Sequence, residues 1–104
     1  MRPTDDATDE ITRLIGRTLV SYNLKPDDDV IEALTEGLVA HGQRYVAMAR
    51  RAEAATPRVA HALADWDSLT TRGPGPEPLA RWNHARSLAR VLRTLHEARV
   101  AVTA

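Results

Sequence analysis

The 104-residue chain carries 14 basic and 14 acidic side chains, a formal charge of zero, and no cysteine. That length supports one domain with one core, and the missing cysteine excludes a disulfide framework, a thiolate metal site and a cysteine nucleophile. No run approaches the roughly 20 apolar residues that cross a bilayer, so no membrane association is expected. The acidic, polar start has no apolar stretch of the kind an export signal needs, which is the pattern of a cytoplasmic protein.

Residues 1–104 read as a single helical-bundle domain, with 1–7 expected to form a disordered tail. Hydrophobic residues make up 43% of the chain, without a single Phe, so the core is expected to be aliphatic around two Trp and two Tyr. The net charge hides an asymmetry. Residues 1–36 hold nine acids and four bases, a balance of −5, and residues 37–104 hold five acids and ten bases, a balance of +5. The simplest expectation is that the two halves neutralise one another inside the bundle.

The first helix is expected from about Thr8 to Tyr22, capped by Thr8 or Asp9, with Ile11, Leu14, Ile15, Leu19 and Tyr22 inward and Arg13, Arg17 and Ser21 outward. A turn at Asn23–Lys25 follows. Pro26 suits a first helical position, and Asp27, Asp28 and Asp29 put negative charge at the positive end of the helix dipole. Asp29 and Glu32 have the spacing of a capping box. Three consecutive carboxylates point in different directions around a helix and do not chelate one ion.

The second helix is expected over Asp27–Ala55. Ile31, Leu34, Leu38, His41, Tyr45, Met48, Ala52 and Ala55 recur at alternating steps of three and four, the seam of a long helix with nearly antiparallel neighbours. Gly37 and Gly42 interrupt it at about 1 kcal/mol each relative to Ala, a cost that close approach of a neighbouring helix explains. Thr56-Pro57 ends this helix and opens the third, which turns Val59, Ala62, Leu63, Trp66 and Leu69 inward up to Thr71. The stiff segment Arg72-Gly-Pro-Gly-Pro-Glu-Pro78 then leads to a fourth helix reaching Val102. Ala85, Leu88, Ala89, Leu92 and Leu95 form its inner arc, flanked by Trp82, Val91 and Val100, and Arg86, Arg90 and Arg93 line an outward face. The predicted fold is an all-α, four-helix antiparallel bundle with two long and two short helices.

Three places have chemical character. His41 and Tyr45 lie one turn apart on the seam, where a histidine and its hydrogen-bond partner can serve as an acid–base pair. They are the candidate catalytic residues. His61 and Asp65 have a spacing that can pinch a metal ion, but two ligands do not make a site, and no metal or cofactor is expected. Trp82, His84, Arg86 and Arg90 gather near the start of the last helix. Guanidinium groups bind carboxylates and phosphates bidentately, so these four are the candidate ligand site for an acidic small molecule or an acidic protein surface.

The succession of an Ile-rich first helix, a second helix through Leu34, Leu38, His41 and Gly42, the Thr56-Pro57-Arg58 break, and Arg72-Gly-Pro-Gly-Pro followed by His84-Ala-Arg86-Ser-Leu88-Ala-Arg90 resembles a family of small streptomycete-type proteins. That family has no established activity and is loosely labelled as natural-product biosynthesis proteins. The resemblance implies actinobacterial origin and a helical fold, and it carries over no catalytic residue. The excess of Arg over the single Lys25 points to the same GC-rich bacterial background.

The reading that combines these features is a non-enzymatic accessory or ligand-binding bundle of secondary metabolism. Homodimerisation is expected because the long seams exceed what two short helices cover. One alternative is a small cofactor-free enzyme using His41 and Tyr45, with His84 and Arg86 holding an anionic substrate. A DNA-binding regulator is the second alternative, and nucleic-acid binding is disfavoured by the absence of a helix-turn-helix and of aromatic residues interleaved with exposed bases.

Overall fold

The computed structural model describes residues 3–52 and 56–103. Within them lie four helices and no strand: α1 Pro3–Thr18, α2 Asp28–Arg51, α3 Pro57–Arg72 and α4 Pro78–Thr103, with one 3-10 turn at Tyr22–Leu24. Helices of 16, 24, 16 and 26 residues make the all-α bundle of two short and two long helices that the periodicity predicts.

Contacts between named residues fix the directions. Arg58 reaches Glu97 and His84 reaches the Leu69 carbonyl, so residue numbers rise along α3 as they fall along α4. Trp82 with Tyr22, and Arg86 with Thr18, give the same antiparallel sense to α1 and α4. The two long helices instead run parallel, since Gly42 lies against Leu92 and Tyr45 against His96. α2 and α4 therefore form the central diagonal of an up-down-up-down bundle. α1 and α3 flank that diagonal on opposite sides and do not touch each other among the described residues. The seam of α2 was expected to meet antiparallel neighbours, and it also meets a parallel one.

Ile11, Ile31, Leu38, Leu88 and Leu92 are fully buried and form the aliphatic centre, closed by Trp66 and Trp82. Burying each such side chain is worth about 1.5–3 kcal/mol. The inner arc expected for α4, from Ala85 to Leu95, is buried throughout, as are Ala62 and Trp66 of α3. Met48, expected in the seam, is exposed, and Ala52 is the exposed C-cap of α2. Ala55 lies outside the described residues, and so do the side chains of residues 1–9 and of Val100.

Helix ends depart from the sequence reading in instructive ways. Thr8 and Asp9 lie inside α1, which begins at Pro3 and stops at Thr18, four residues before Tyr22. Asp27 takes the N-cap position of α2, which leaves Pro26 outside the helix. The Asp27 side chain makes no capping bond, and the Asp29 carboxylate accepts the Val30 N–H at 3.0 Å. The Thr56-Pro57 break behaves as expected: Thr56 Oγ1 accepts the Val59 N–H at 3.2 Å and Pro57 occupies the first turn. α3 ends on Gly73 at φ 68° and ψ −176°, a conformation essentially reserved for glycine.

The two charge halves do not neutralise one another. Glu10 pairs with Arg13 and Lys25 with Asp28 in the first half, while Arg50 pairs with Asp67 and Arg58 with Glu97 in the second. Among the described residues no ion pair joins an acid of 1–36 to a base of 37–104. Exposed pairs of this kind are each worth about 0–1 kcal/mol, so the bundle rests on its apolar core.

Gly42 marks the tightest point. A Cβ there would stand 2.6 Å from Trp66 Cη2 and 2.8 Å from Leu92 Cδ2, closer than carbon atoms approach. At Gly37 the nearest atom, Leu14 Cδ1, would be 3.2 Å away, and at Gly16 nothing lies within 4 Å. Gly42→Ala is therefore expected to destabilise the protein, since overpacking costs about 1–3 kcal/mol and outweighs a helix-propensity gain of about 1 kcal/mol. Gly16→Ala should collect that gain alone. Urea unfolding of the two variants checks the contrast, and equal midpoints would refute it.

Candidate functional site

The four residues expected to form one ligand site are divided between two sides of α4. Trp82 and Arg86, one turn apart, turn toward α1. His84 and Arg90 turn toward α3.

Trp82 is fully buried, and its indole N–H donates to the Tyr22 carbonyl at 3.0 Å. Arg86, expected on an outward face, is half-buried. One of its terminal nitrogens donates to the Thr18 carbonyl at 3.2 Å and also to the Val20 carbonyl. Its guanidinium carbon lies 5.5 Å from the centre of the Tyr22 ring and 5.3 Å from that of Trp82. The last carbonyls of a helix lack intrahelical donors and carry partial negative charge, and a guanidinium beside two aromatic rings answers both conditions. Arg86 thus holds the end of α1 at Thr18.

His84 is buried, and its Nε2 lies 2.9 Å from the Leu69 carbonyl oxygen. A carbonyl only accepts, so Nε2 carries the hydrogen and donates it. The same oxygen accepts the Gly73 N–H at 3.0 Å, which ties the last turn of α3 to α4. His84 Nδ1 is buried without a hydrogen-bond partner.

Between α3 and α4 runs a polar groove of about 490 Å³, with Arg58, His61 and Asp65 on one wall and Ser87, Arg90 and Thr94 on the other. Ala62 and Val91 contribute apolar surface. A second hollow of about 310 Å³ continues it toward Arg72 and His84 and shares Ser68, Leu69 and Ser87 with the first. Arg58 is held by Glu97 at 3.0 Å, whereas Arg90 is exposed and has no ion-pair partner among the described residues. Arg90 therefore presents a complete guanidinium fork to whatever enters the groove.

The candidate catalytic pair is arranged differently. Tyr45 is buried with its ring at 71° to that of His96, centroids 5.9 Å apart, while His41 is half-buried. His96, which the sequence reading passed over, has its Nδ1 buried without a hydrogen-bond partner. Among the described residues there is no group of three or more His, Asp or Glu that could hold a metal ion. Ser68 and Ser87 were also missed. Their signal is a stripe of polar residues beside the apolar arc, Asp65, Ser68 and Arg72 on α3 and Ser87, Arg90 and Thr94 on α4.

These roles separate in stability. Arg86→Ala is expected to cost about 2 kcal/mol, because it removes charge-assisted bonds to carbonyls that then lose their donor. Arg90→Ala should stay within about 0.5 kcal/mol of the parent. Denaturant unfolding of both variants measures the difference, and equal losses would contradict the division of α4 into a structural side and a groove side.

No curated protein and no solved structure matches the chain. A family model does match, over residues 9–103, and it is described as a family of unknown function, DUF6415. That span contains all four walls of the bundle, the Arg86 anchorage and both sides of the groove, and the chain belongs to the DUF6415 family.

Proposed function

We propose that the protein is a non-enzymatic binding module whose α3–α4 groove takes an acidic small molecule through Arg90. The observation that carries this reading is an exposed, unpaired guanidinium in the wall of a 490 Å³ groove whose other well-placed arginine, Arg58, is already engaged by Glu97. Arg86, one of the candidates by sequence, turns to α1, where one terminal nitrogen donates to the Thr18 and Val20 carbonyls and its Nε is buried without a partner, so the exposed Arg90 is the guanidinium open to an anion in the groove. Titrating the 15N-labelled protein with succinate and with inorganic phosphate tests the reading. The amides of Ser68, Ser87 and Thr94 should shift together, and Arg90→Ala should abolish those shifts while leaving the rest of the spectrum in place. Absence of any shift at tens of millimolar anion would defeat it.

The setting we propose is the cytoplasm of an actinobacterium, in or beside natural-product biosynthesis. It is supported by the resemblance of most of the chain after residue 10 to small streptomycete-type proteins, by the arginine-rich composition, and by the fact that among the described residues no helix is long and apolar enough to cross a membrane. We also infer a homodimer. Leu24, in the 3-10 turn, and Leu79, in the first turn of α4, keep 62% and 53% of their surface exposed, apolar surface that a second copy of the chain would cover. Sedimentation equilibrium at micromolar concentration should return twice the chain mass, and a Leu24→Ser/Leu79→Ser double variant should return the chain mass. A monomer in both samples would reject the dimer.

A further inference from the structure

The groove holds a second exposed charge of opposite sign. Asp65 stands on the α3 wall as Arg90 stands on the α4 wall. The Arg58–Glu97 bond fixes the register of the two antiparallel helices, and Asp65 and Arg90 each lie two turns along from it, at matching levels. An acid and a base facing each other at this level are expected to join, as Arg58 and Glu97 do at 3.0 Å. They do not: Asp65 and Arg90 make no ion pair within 4.0 Å, and neither has another ion-pair partner among the described residues.

Resting on the reading of the groove as an anion site, we propose that its ligand is amphoteric, a free amino acid whose carboxylate binds Arg90 and whose ammonium group binds Asp65. A purely anionic ligand would bring its charge toward an unpaired carboxylate, and a purely cationic one would meet Arg90. A molecule carrying both groups completes the missing ion pair from within. Each end would be held by a charge-assisted contact of about 2.7–2.9 Å. Ala62 and Val91 line the same groove and offer the ligand's side chain an apolar surface, while Ser68 and Ser87, one turn farther on, supply hydroxyls. The class this selects is an α-amino acid with an aliphatic side chain.

Three probes of one carbon skeleton separate the contributions: L-leucine, 4-methylpentanoate, which lacks the ammonium group, and 3-methylbutylamine, which lacks the carboxylate. Each is titrated into the 15N-labelled protein while the Ser68 and Ser87 amides are followed. L-Leucine is expected to bind at least tenfold more tightly than either fragment, from the loss of one charge-assisted bond in each. Asp65→Asn should lower leucine affinity and tighten 4-methylpentanoate, whose carboxylate then meets no like charge. Arg90→Gln should lower leucine affinity to that of the amine. Both side chains are exposed, so both variants retain the fold, which the remainder of each spectrum verifies. If 4-methylpentanoate binds as tightly as leucine, or if succinate shifts these amides and leucine does not, the amphoteric ligand is rejected while the anion site stands. If neither succinate, phosphate nor any of the three probes shifts them, both fall.

Discussion

Position 42 has no side chain, and Trp66 and Leu92 fill the space that one would take. This three-helix contact brings the two long helices together along the bundle's diagonal, and the placement of the short helices follows from it. With α2 and α4 in contact, α1 and α3 are kept to opposite flanks, each covering one side of the pair. Bundles whose diagonal is closed in this way lack a central channel, so any room for a ligand must open between neighbouring helices at the surface. The α3–α4 groove is such an opening. Its floor includes Ala62, a small residue on the same helix face as Trp66, whose indole reaches past it into the Gly42 notch.

Periodicity made most of this legible. Leucine, isoleucine and alanine at steps of three and four located the helices and their buried arcs, and Thr56-Pro57 marked the α2–α3 break because proline restricts both itself and its predecessor. The direction of packing was less accessible. A heptad seam specifies that a helix has a partner, and whether that partner runs parallel or antiparallel depends on connections and on notches such as Gly42. The end of α1 was misjudged because Leu19 and Tyr22 continue its periodicity. The contacts that hold the helix end come from Arg86 and Trp82, 60 or more residues away from their partners, and no local signal reports them.

The candidate site shows the same boundary between what one helix can reveal and what two are needed for. Arg86 and Arg90 differ by about 40° around the helix axis, and a helical projection puts both on one polar face. That small rotation sends one guanidinium under the rings of Tyr22 and Trp82 and the other into the groove. The charge asymmetry of the chain was read as internal complementarity. Among the described residues each half instead forms its own exposed pairs.

The attachment of α1 through Arg86 also bears on how the chain assembles during synthesis. Thr18 and Arg86 are 68 residues apart, and at about 5–20 residues per second a ribosome needs roughly 3–14 s to add that length. Helices form in microseconds or less, so α1 can coil as soon as it emerges. For several seconds its terminal carbonyls and its buried face have neither the guanidinium nor the indole that will cover them. Of the four helices α1 waits longest for its partners on α4, and until then Ile11, Leu14 and Ile15 are available to any chaperone that reads exposed aliphatic helices.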